Sequence, residues 1–324
     1  MAQTPTHEAA GTNSPAQSDS PRDLAVVAAK GFCMGAADVV PGVSGGTMAF
    51  ILGIYQRLID AIRAFDLTAL GQVTRLDLRG AAARVDLIFL IALGLGLASA
   101  LVFFTRVVPL PKLIRTDPEL IYGLFFGLIA ASIVVLLRGL GRVSGKDWIS
   151  LGAGIVVGGT IISLVPTETP ETSWFVFLAS ALAICAMILP GISGSFILLI
   201  LQKYAYIFDA IGRFDFSIII PFALGAATGL MAFSRVLSWL LSHYYRVTLV
   251  VIIGILLSSL WKIWPFQDRL YVTVRGKERL MSTEPLWPAA LDATVLASLG
   301  LAAVGFIAVI AIERLARRSP DAAP

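Results

Sequence analysis

Long apolar runs separated by short polar stretches dominate this chain. A helix needs about 20 residues to cross the hydrocarbon core of a bilayer. Spanning helices are predicted over Val85–Val108, Glu119–Leu137, Trp148–Val165, Phe216–Leu241, Val247–Trp264 and Ala289–Ile312. The pattern therefore predicts an all-α integral membrane protein.

Two further apolar runs are each broken in the middle by proline and glycine. The first run, Leu24–Ile62, contains Pro-Gly-Val-Ser-Gly-Gly at residues 41–46, and the second, Trp174–Ile211, contains Pro-Gly-Ile-Ser-Gly at residues 190–194. Proline and clustered glycines do not continue a helix. Because unpaired backbone groups are not tolerated against lipid, each run is predicted to be a re-entrant helical hairpin whose turn is covered by protein or lines a wet cavity.

The two broken runs and the segments after them are similar in sequence. The shared turn is followed at equal spacing by Tyr55 and Tyr204, and the next span ends with Arg106 in one half and Arg235 in the other. Chance similarity between apolar segments does not readily place such residues in register. The predicted units are a disordered tail over residues 1–22, a first repeat over 23–165 and a second repeat over 174–315.

Each repeat then consists of one hairpin and three crossings. A hairpin returns to its own side of the membrane and three crossings change sides, so the second repeat is predicted to be inverted relative to the first. Inverted repeats with broken helices that meet near the midplane are typical of transporters. Lysines and arginines are more numerous in the loops on the side of the N-terminus, which predicts that both termini are cytoplasmic.

Composition supports membrane insertion and gives no sign of a metal centre. Hydrophobic residues make up 57% of the chain and charged residues 14%, whereas a soluble domain carries about 25% charged residues. Cys33 and Cys185 both lie in apolar segments, without a Cys or His partner at the spacing of metal ligands. We therefore expect no metal or cofactor, and interpret the cysteines as packing residues.

The second arm of each hairpin begins with a Ser-Gly sequence that suits an anion. Free N–H groups and the positive end of the helix dipole favour a phosphate there, and the serine hydroxyl can cap the helix start. The alternative is a self-capped turn that only folds the hairpin; the presence of two related copies favours the anion site. The candidate phosphate ligands are Ser44, Gly45, Gly46 and Thr47 in the first loop, and Ser193, Gly194 and Ser195 in the second.

Five other residues are candidates from charge or position. Arg106 and Arg235 are costly in hydrocarbon and can bind a phosphate with two parallel hydrogen bonds, although snorkelling to lipid headgroups also explains them. Asp38, just before the first break, is either a proton carrier or a hydrogen-bond partner of the turn. Tyr55 and Tyr204 either line the cavity or anchor the chain at the membrane interface.

Residues 31–47 (Gly-Phe-Cys-Met-Gly-Ala-Ala-Asp-Val-Val-Pro-Gly-Val-Ser-Gly-Gly-Thr) closely resemble the bacterial polyprenyl-phosphate transporter family, and residues 189–195 (Leu-Pro-Gly-Ile-Ser-Gly-Ser) fit it too. The resemblance covers roughly residues 25–315. It implies that undecaprenyl phosphate is translocated across the bacterial cytoplasmic membrane, which recycles the lipid carrier for cell-wall synthesis. The expected partners are this lipid, the surrounding membrane lipids and protons as coupling ions, with no nucleic acid.

The resemblance also implies that the serines and glycines of the two loops face the phosphate. The roles of Arg106 and Arg235 rest on charge and symmetry alone.

Two other functions remain open at this level. Integral-membrane undecaprenyl pyrophosphate phosphatases also have inverted repeats, re-entrant helices and a Pro-Gly-x-Ser loop. Here each loop serine is followed by glycine instead of arginine, and His7 and His243 lie outside the spans, so the chain is not expected to be an enzyme. A transporter of small soluble anions would use the same helix termini.

Overall fold

The computed structural model describes residues 20–39, 44–108, 113, 114, 116–164, 169–274 and 277–318. Nearly all of the predicted N-terminal tail, and residues 41–43 of the first predicted turn, lie outside these ranges. The first half contains α1 Pro21–Asp38, α2 Gly45–Ile51, α3 Tyr55–Arg63, α4 Leu67–Thr74, α5 Leu78–Arg84, α6 Leu87–Arg106, α7 Pro118–Gly139 and α8 Gly145–Ile162. The second half contains α9 Ser173–Ile188, α10 Gly194–Ile200, α11 Tyr204–Gly212, α12 Phe216–His243, α13 Tyr245–Lys262, β1 Gln267–Val274, β2 Lys277–Pro285 and α14 Ala293–Arg318.

Five of these helices, α6, α7, α12, α13 and α14, are long and apolar enough to cross a membrane. They confirm five of the predicted spans, and the chain is a multi-pass helical membrane protein. The remaining predicted span corresponds to α8, which is helical over 18 residues but carries Lys146 and Asp147 in its first turn. Because of this polar start, α8 has a lower mean hydropathy than the other five helices.

Both broken runs are broken where the sequence predicts, and each is broken a second time. The helices stop at Asp38 and Ile188 and resume at Gly45 and Gly194. A second break follows seven residues later, where Gly53 has φ +69° and Gln202 has φ +52°. Residues with positive φ commonly end helices. Each predicted hairpin therefore consists of three helical pieces, and α10 and α11 meet at an angle of 103°.

The polar stretch between the first broken run and α6 folds into the short helices α4 and α5. Asp66 caps α4 by accepting a hydrogen bond from the Ala69 N–H at 2.8 Å, and it forms an ion pair with Arg84 at 2.6 Å. The Arg84 guanidinium lowers the pKa of the Asp66 carboxyl to about 2. This ion pair holds the two short helices together.

The charged stretch over residues 265–288, which lies between two predicted spans, contains an antiparallel two-stranded sheet. β1 pairs with β2 from Gln267 opposite Pro285 to Val274 opposite Lys277, with an irregularity between Leu270 and Tyr271. Tyr, Val and Thr in this segment favour strands, and the density of charges obscured that preference. The all-α prediction is thus correct for the spanning part but misses this hairpin.

Glycines allow the long helices to pack in close parallel pairs. A Cβ added to Gly31 would lie 2.2 Å from the Leu93 carbonyl oxygen, and one added to Gly35 would lie 2.6 Å from that of Leu97. These contacts advance together along α1 and α6, so the two helices run parallel. Equivalent approaches join α9 to α12, α7 to α14 and α8 to α13.

Candidate functional site

Side chains at the first loop accept hydrogen bonds from the N–H groups at the start of α2. Ser44, the N-cap of α2, accepts a hydrogen bond from the Gly46 N–H at 3.2 Å. Asp38, at the end of α1, accepts one from the Gly45 N–H at 2.7 Å through Oδ1. Of the two interpretations of Asp38, the structure therefore contains the hydrogen bond to the turn. Its carboxyl group occupies the position at which a helix start would hold an anion.

The two glycines after Ser44 leave no room for a side chain. A Cβ on Gly45 would lie 2.5 Å from Asp38 Oδ2, and one on Gly46 would lie 2.8 Å and 2.9 Å from the carbonyl oxygens of Met187 and Ile188. Real Cβ atoms do not approach so closely. Glycine therefore permits the end of α9, in the other half of the chain, to touch the start of α2.

Direct hydrogen bonds join the loops of the two halves. Ser44 donates its hydroxyl to the Met187 carbonyl at 3.2 Å, and Tyr55 donates to the Ile188 carbonyl at 3.0 Å. Thr47 Oγ1 accepts from the Gly191 N–H at 2.8 Å. The first two bonds satisfy carbonyl groups at the end of α9 that have no partner within the helix, and the third satisfies the N–H of the buried Gly191. The predicted first and second loops are thus in direct contact.

The second loop is more open than the first. The Ser193 and Ser195 hydroxyls lie 2.8 Å apart, and Ser195 is exposed. Within the described ranges, the N–H groups of Gly194 and Ser195 have no acceptor. Met187 occupies the place that corresponds to Asp38 in the repeat, so no carboxylate covers this helix start. The second loop therefore offers free donors that the first loop does not.

Neither of the two matched arginines has a hydrogen bond to a residue of the first or second loop that the structure describes. Arg235 is exposed and donates to the carbonyl oxygens of Met231 at 3.1 Å and Phe65 at 3.3 Å. Arg106 is the exposed last residue of α6. In the parallel pair α9 and α12, Phe177 faces Gly225 and Ala181 faces Gly229. Extending this pairing by six residues along both helices reaches Met187 and Arg235. This places Arg235 at the same depth as Met187.

The matched tyrosines have different surroundings. Tyr55 is 4% exposed and bonds to the second half. Tyr204 is 37% exposed, and its ring centroid lies 4.6 Å from that of Phe208. The sequence analysis did not identify two groups that join the loops, the main-chain carbonyls of Met187 and Ile188. Glycines next to each turn were the only signal in the sequence that a backbone approaches closely there.

Comparison with known proteins identifies relatives over most of the chain. Residues 34–280 match the VCA0040-like family, described as undecaprenyl phosphate translocase-like. The chain is 42% identical over 247 residues to a polyprenyl-phosphate transporter of Vibrio cholerae, which covers 74% of this chain and 78% of that protein. It is 30% identical over 256 residues to a polyprenyl-phosphate transporter of Staphylococcus aureus, which covers 73% of this chain and 84% of that protein. No solved structure matches the chain.

Proposed function

The chain belongs to the undecaprenyl phosphate translocase-like family, and on that premise we propose that it carries a polyprenyl phosphate across the membrane. Both curated relatives are named transporters, and the chain is accordingly a transporter and not an enzyme. Translocation proceeds by alternating access to one phosphate site, formed where the two loops meet. The substrate is undecaprenyl phosphate, and the biological role is recycling of the cell-wall lipid carrier across the bacterial cytoplasmic membrane.

The contact between the two loops is the observation that carries this proposal. Ser44, Thr47 and Tyr55 are 3%, 1% and 4% exposed, and each of them bonds to residues of the second loop or the helix before it. A site shared by two halves is the arrangement that alternating access requires, because either half can then open towards the same ligand.

The direction of the helix pairs supports re-entrant hairpins. If the broken run from α1 to α3 crossed the membrane, α6 would return antiparallel to α1. Instead α1 and α6 run parallel, and so do α9 and α12. The helices α1 and α6 therefore start on the same side of the membrane, and so do α9 and α12. Each broken run thus returns to the side on which it began.

The partners of the helices support two inverted repeats. In the proposed repeat, α7 corresponds to α13 and α8 corresponds to α14. Swapping the two halves turns the α7–α14 contact into the α13–α8 contact, and both contacts are present. With three crossings in each half, this symmetry places the second half upside down. The basic loops then favour cytoplasmic termini.

We assign the phosphate to the second loop in the conformation described here. The N–H groups of Gly194 and Ser195 and the hydroxyls of Ser193 and Ser195 provide donors for an anion. At the first loop, the Asp38 carboxylate takes the equivalent position. Ser44, Gly45, Gly46 and Thr47 contribute when Asp38 is protonated and releases the Gly45 N–H, so that proton uptake is coupled to phosphate binding. Arg106 and Arg235 attract the phosphate from the side.

Competition binding tests the identity of the ligand. Purified protein in detergent is expected to bind labelled undecaprenyl phosphate, and inorganic phosphate or glycerol phosphate should compete at least a hundredfold more weakly, because they lack an apolar tail. Arg106→Ala together with Arg235→Ala should weaken binding about tenfold, the usual loss for a charged hydrogen bond of 1.5 kcal/mol. Equal competition by short soluble phosphates would identify a small-anion transporter, and release of phosphate from undecaprenyl pyrophosphate would identify a phosphatase.

The same assay measures the role of Asp38. An ionised carboxylate at the first loop repels the phosphate, so affinity should rise as pH falls and the carboxylate is protonated. Asp38→Asn keeps an oxygen acceptor for the Gly45 N–H but has no proton to exchange. Its affinity should therefore lose the pH-dependent component seen in the unaltered protein, beyond the titration of the phosphate itself. Identical pH profiles for the two proteins would remove Asp38 from the coupling.

A further inference from the structure

The second hairpin exposes an apolar stripe that its counterpart buries. Tyr204, Phe208 and Ile211, spaced by four and three residues, lie on one face of α11 and are 37%, 57% and 44% exposed. The matching residues of α3 occupy the same helical face. Of these, Tyr55 is 4% exposed, Ile59 is fully buried and Ile62 is partly buried. Similar sequences in the two halves thus have different surroundings.

The α3 stripe is buried because α3 is bound to α12. Asp60 Oδ1 accepts a hydrogen bond from the Ser238 hydroxyl at 3.1 Å, and Arg63 donates to the same hydroxyl oxygen at 3.1 Å. Next to them, Arg235 of α12 donates to the Phe65 carbonyl. We call this contact between α3 and α12 the closed seam.

The equivalent partner of α11 is α6, and in the described part of the chain these two helices do not pack extensively on each other. Within the described residues, no hydrogen bond or ring contact joins Tyr204, Phe208 or Ile211 to α6. On α6, Val102 is 61% exposed and Phe103 is 36% exposed, whereas Met231, which corresponds to Val102, is partly buried. We call the exposed apolar surface made of these residues of α6 and the α11 stripe the open seam.

The buried clusters show the same asymmetry. Tyr55 and Ile59 of α3 belong to the largest cluster, together with Leu237 and Leu241 of α12 in the other half. On α11, Ile207 belongs to a separate cluster whose members all come from the second half, among them Val176 of α9. The second hairpin is therefore held chiefly by its own half, and within the described residues the Tyr204–Phe208–Ile211 face has no hydrogen bond or ring contact with another helix.

We propose that the open seam binds the isoprenoid tail of the transported lipid, and that it closes as the α3–α12 seam opens when the carrier changes sides. This inference rests on the proposed function. Three residues of chain connect the α11 stripe to α10, whose start carries the partly buried Ser193 hydroxyl and the exposed Ser195 hydroxyl, and Arg106 ends the α6 border. Exposed apolar faces that lie next in the chain to hydroxyl donors and to a guanidinium match a lipid phosphate in polarity and charge.

Photochemical labelling of the unaltered protein tests where the tail lies. The probe is a polyprenyl phosphate with a diazirine in its terminal isoprene unit, added to protein in lipid nanodiscs. Mass spectrometry should find adducts concentrated on α11 and α6 at the open seam, and excess unlabelled undecaprenyl phosphate should remove them. Leu95 and Val304, which are 66% and 56% exposed elsewhere, serve as internal controls.

Each labelling result has a separate meaning. Competable adducts at the open seam support the proposal. Competable adducts at other sites overturn the seam but leave the proposed substrate intact. Adducts spread evenly over the open seam, Leu95 and Val304, and insensitive to competitor, mean that ordinary bilayer lipid covers this face and contradict the seam. If the phosphate does not bind at all in the competition assay, the proposed function fails first.

A reversible lock tests the exchange of the two seams. Asp60→Cys with Ser238→Cys, in a chain with Cys33→Ala and Cys185→Ala, places two thiols where side chains now touch across the closed seam. Oxidation should abolish translocation while leaving binding of the labelled lipid intact, and reduction should restore translocation. Oxidised protein that translocates as fast as reduced protein would overturn the exchange. If the reduced variant is inactive, the labelling experiment on the unaltered protein decides.

Discussion

Individual side chains join the halves of this protein at its centre, and Thr47 makes the most buried of these contacts. Its hydroxyl oxygen accepts from the Gly191 N–H, where Gly191 has φ +92° and is itself buried. The sequence identified Ser44, Thr47 and the adjacent glycines as special because they surround a broken helix. It did not identify their partners, because main-chain carbonyls such as those of Met187 and Ile188 carry no signal in the sequence.

Replacing Thr47 with valine should destabilise the protein by about 1–3 kcal/mol, the cost of leaving a buried N–H without an acceptor. Valine has the same shape, so packing should change little. Thr228→Val is the matched control, since the exposed Thr228 hydroxyl donates only to Leu224 in its own helix. The free energy of unfolding is measured by denaturation in mixed micelles. Equal effects of the two substitutions would show that the Thr47–Gly191 bond does not stabilise the contact between the loops.

At the scale of elements, the apolar pattern predicted five spans correctly and the breaks in the two broken runs in part. Long apolar runs and the Pro-Gly turns marked where helices lie and where each hairpin first breaks, because both depend on local chemistry. The second breaks, at Gly53 and Gln202, were missed because apolar residues continue on both sides of them. The strands β1 and β2 were missed because their pairing joins residues within a loop dominated by charge.

Close packing of the parallel helix pairs depends on glycine at particular faces. A Cβ on Gly154 of α8 would lie 2.2 Å from the Val251 carbonyl oxygen of α13, whereas Gly152 of the same helix has nothing within 4 Å. Gly154→Val should therefore destabilise the protein by about 1–3 kcal/mol through overpacking. Gly152→Val should stay within about 0.5 kcal/mol, as surface changes usually do. Similar melting temperatures for both variants would contradict the close α8–α13 contact.

At the scale of the whole molecule, the repeat in the sequence predicted symmetry, and the structure adds a difference between the halves. At the first loop Asp38 binds the Gly45 N–H, and the helix α3 that follows packs on α12, whereas at the second loop Ser195 is exposed and so is the α11 stripe. A sequence encodes both conformations of a transporter at once, so it does not reveal which half is open. The resemblance in residues 31–47 did point to the family, and family comparison over residues 34–280 confirms it.

The central claim is that this protein moves a polyprenyl phosphate from one leaflet to the other. The most direct measurement reconstitutes it into vesicles that contain fluorescent undecaprenyl phosphate and adds an impermeant quencher outside. The account predicts that inner-leaflet label becomes accessible in vesicles with the protein, while labelled phosphatidylcholine in the same vesicles stays protected. Inner-leaflet label that stays as protected as in protein-free vesicles, with folded protein that still binds the lipid, would contradict it.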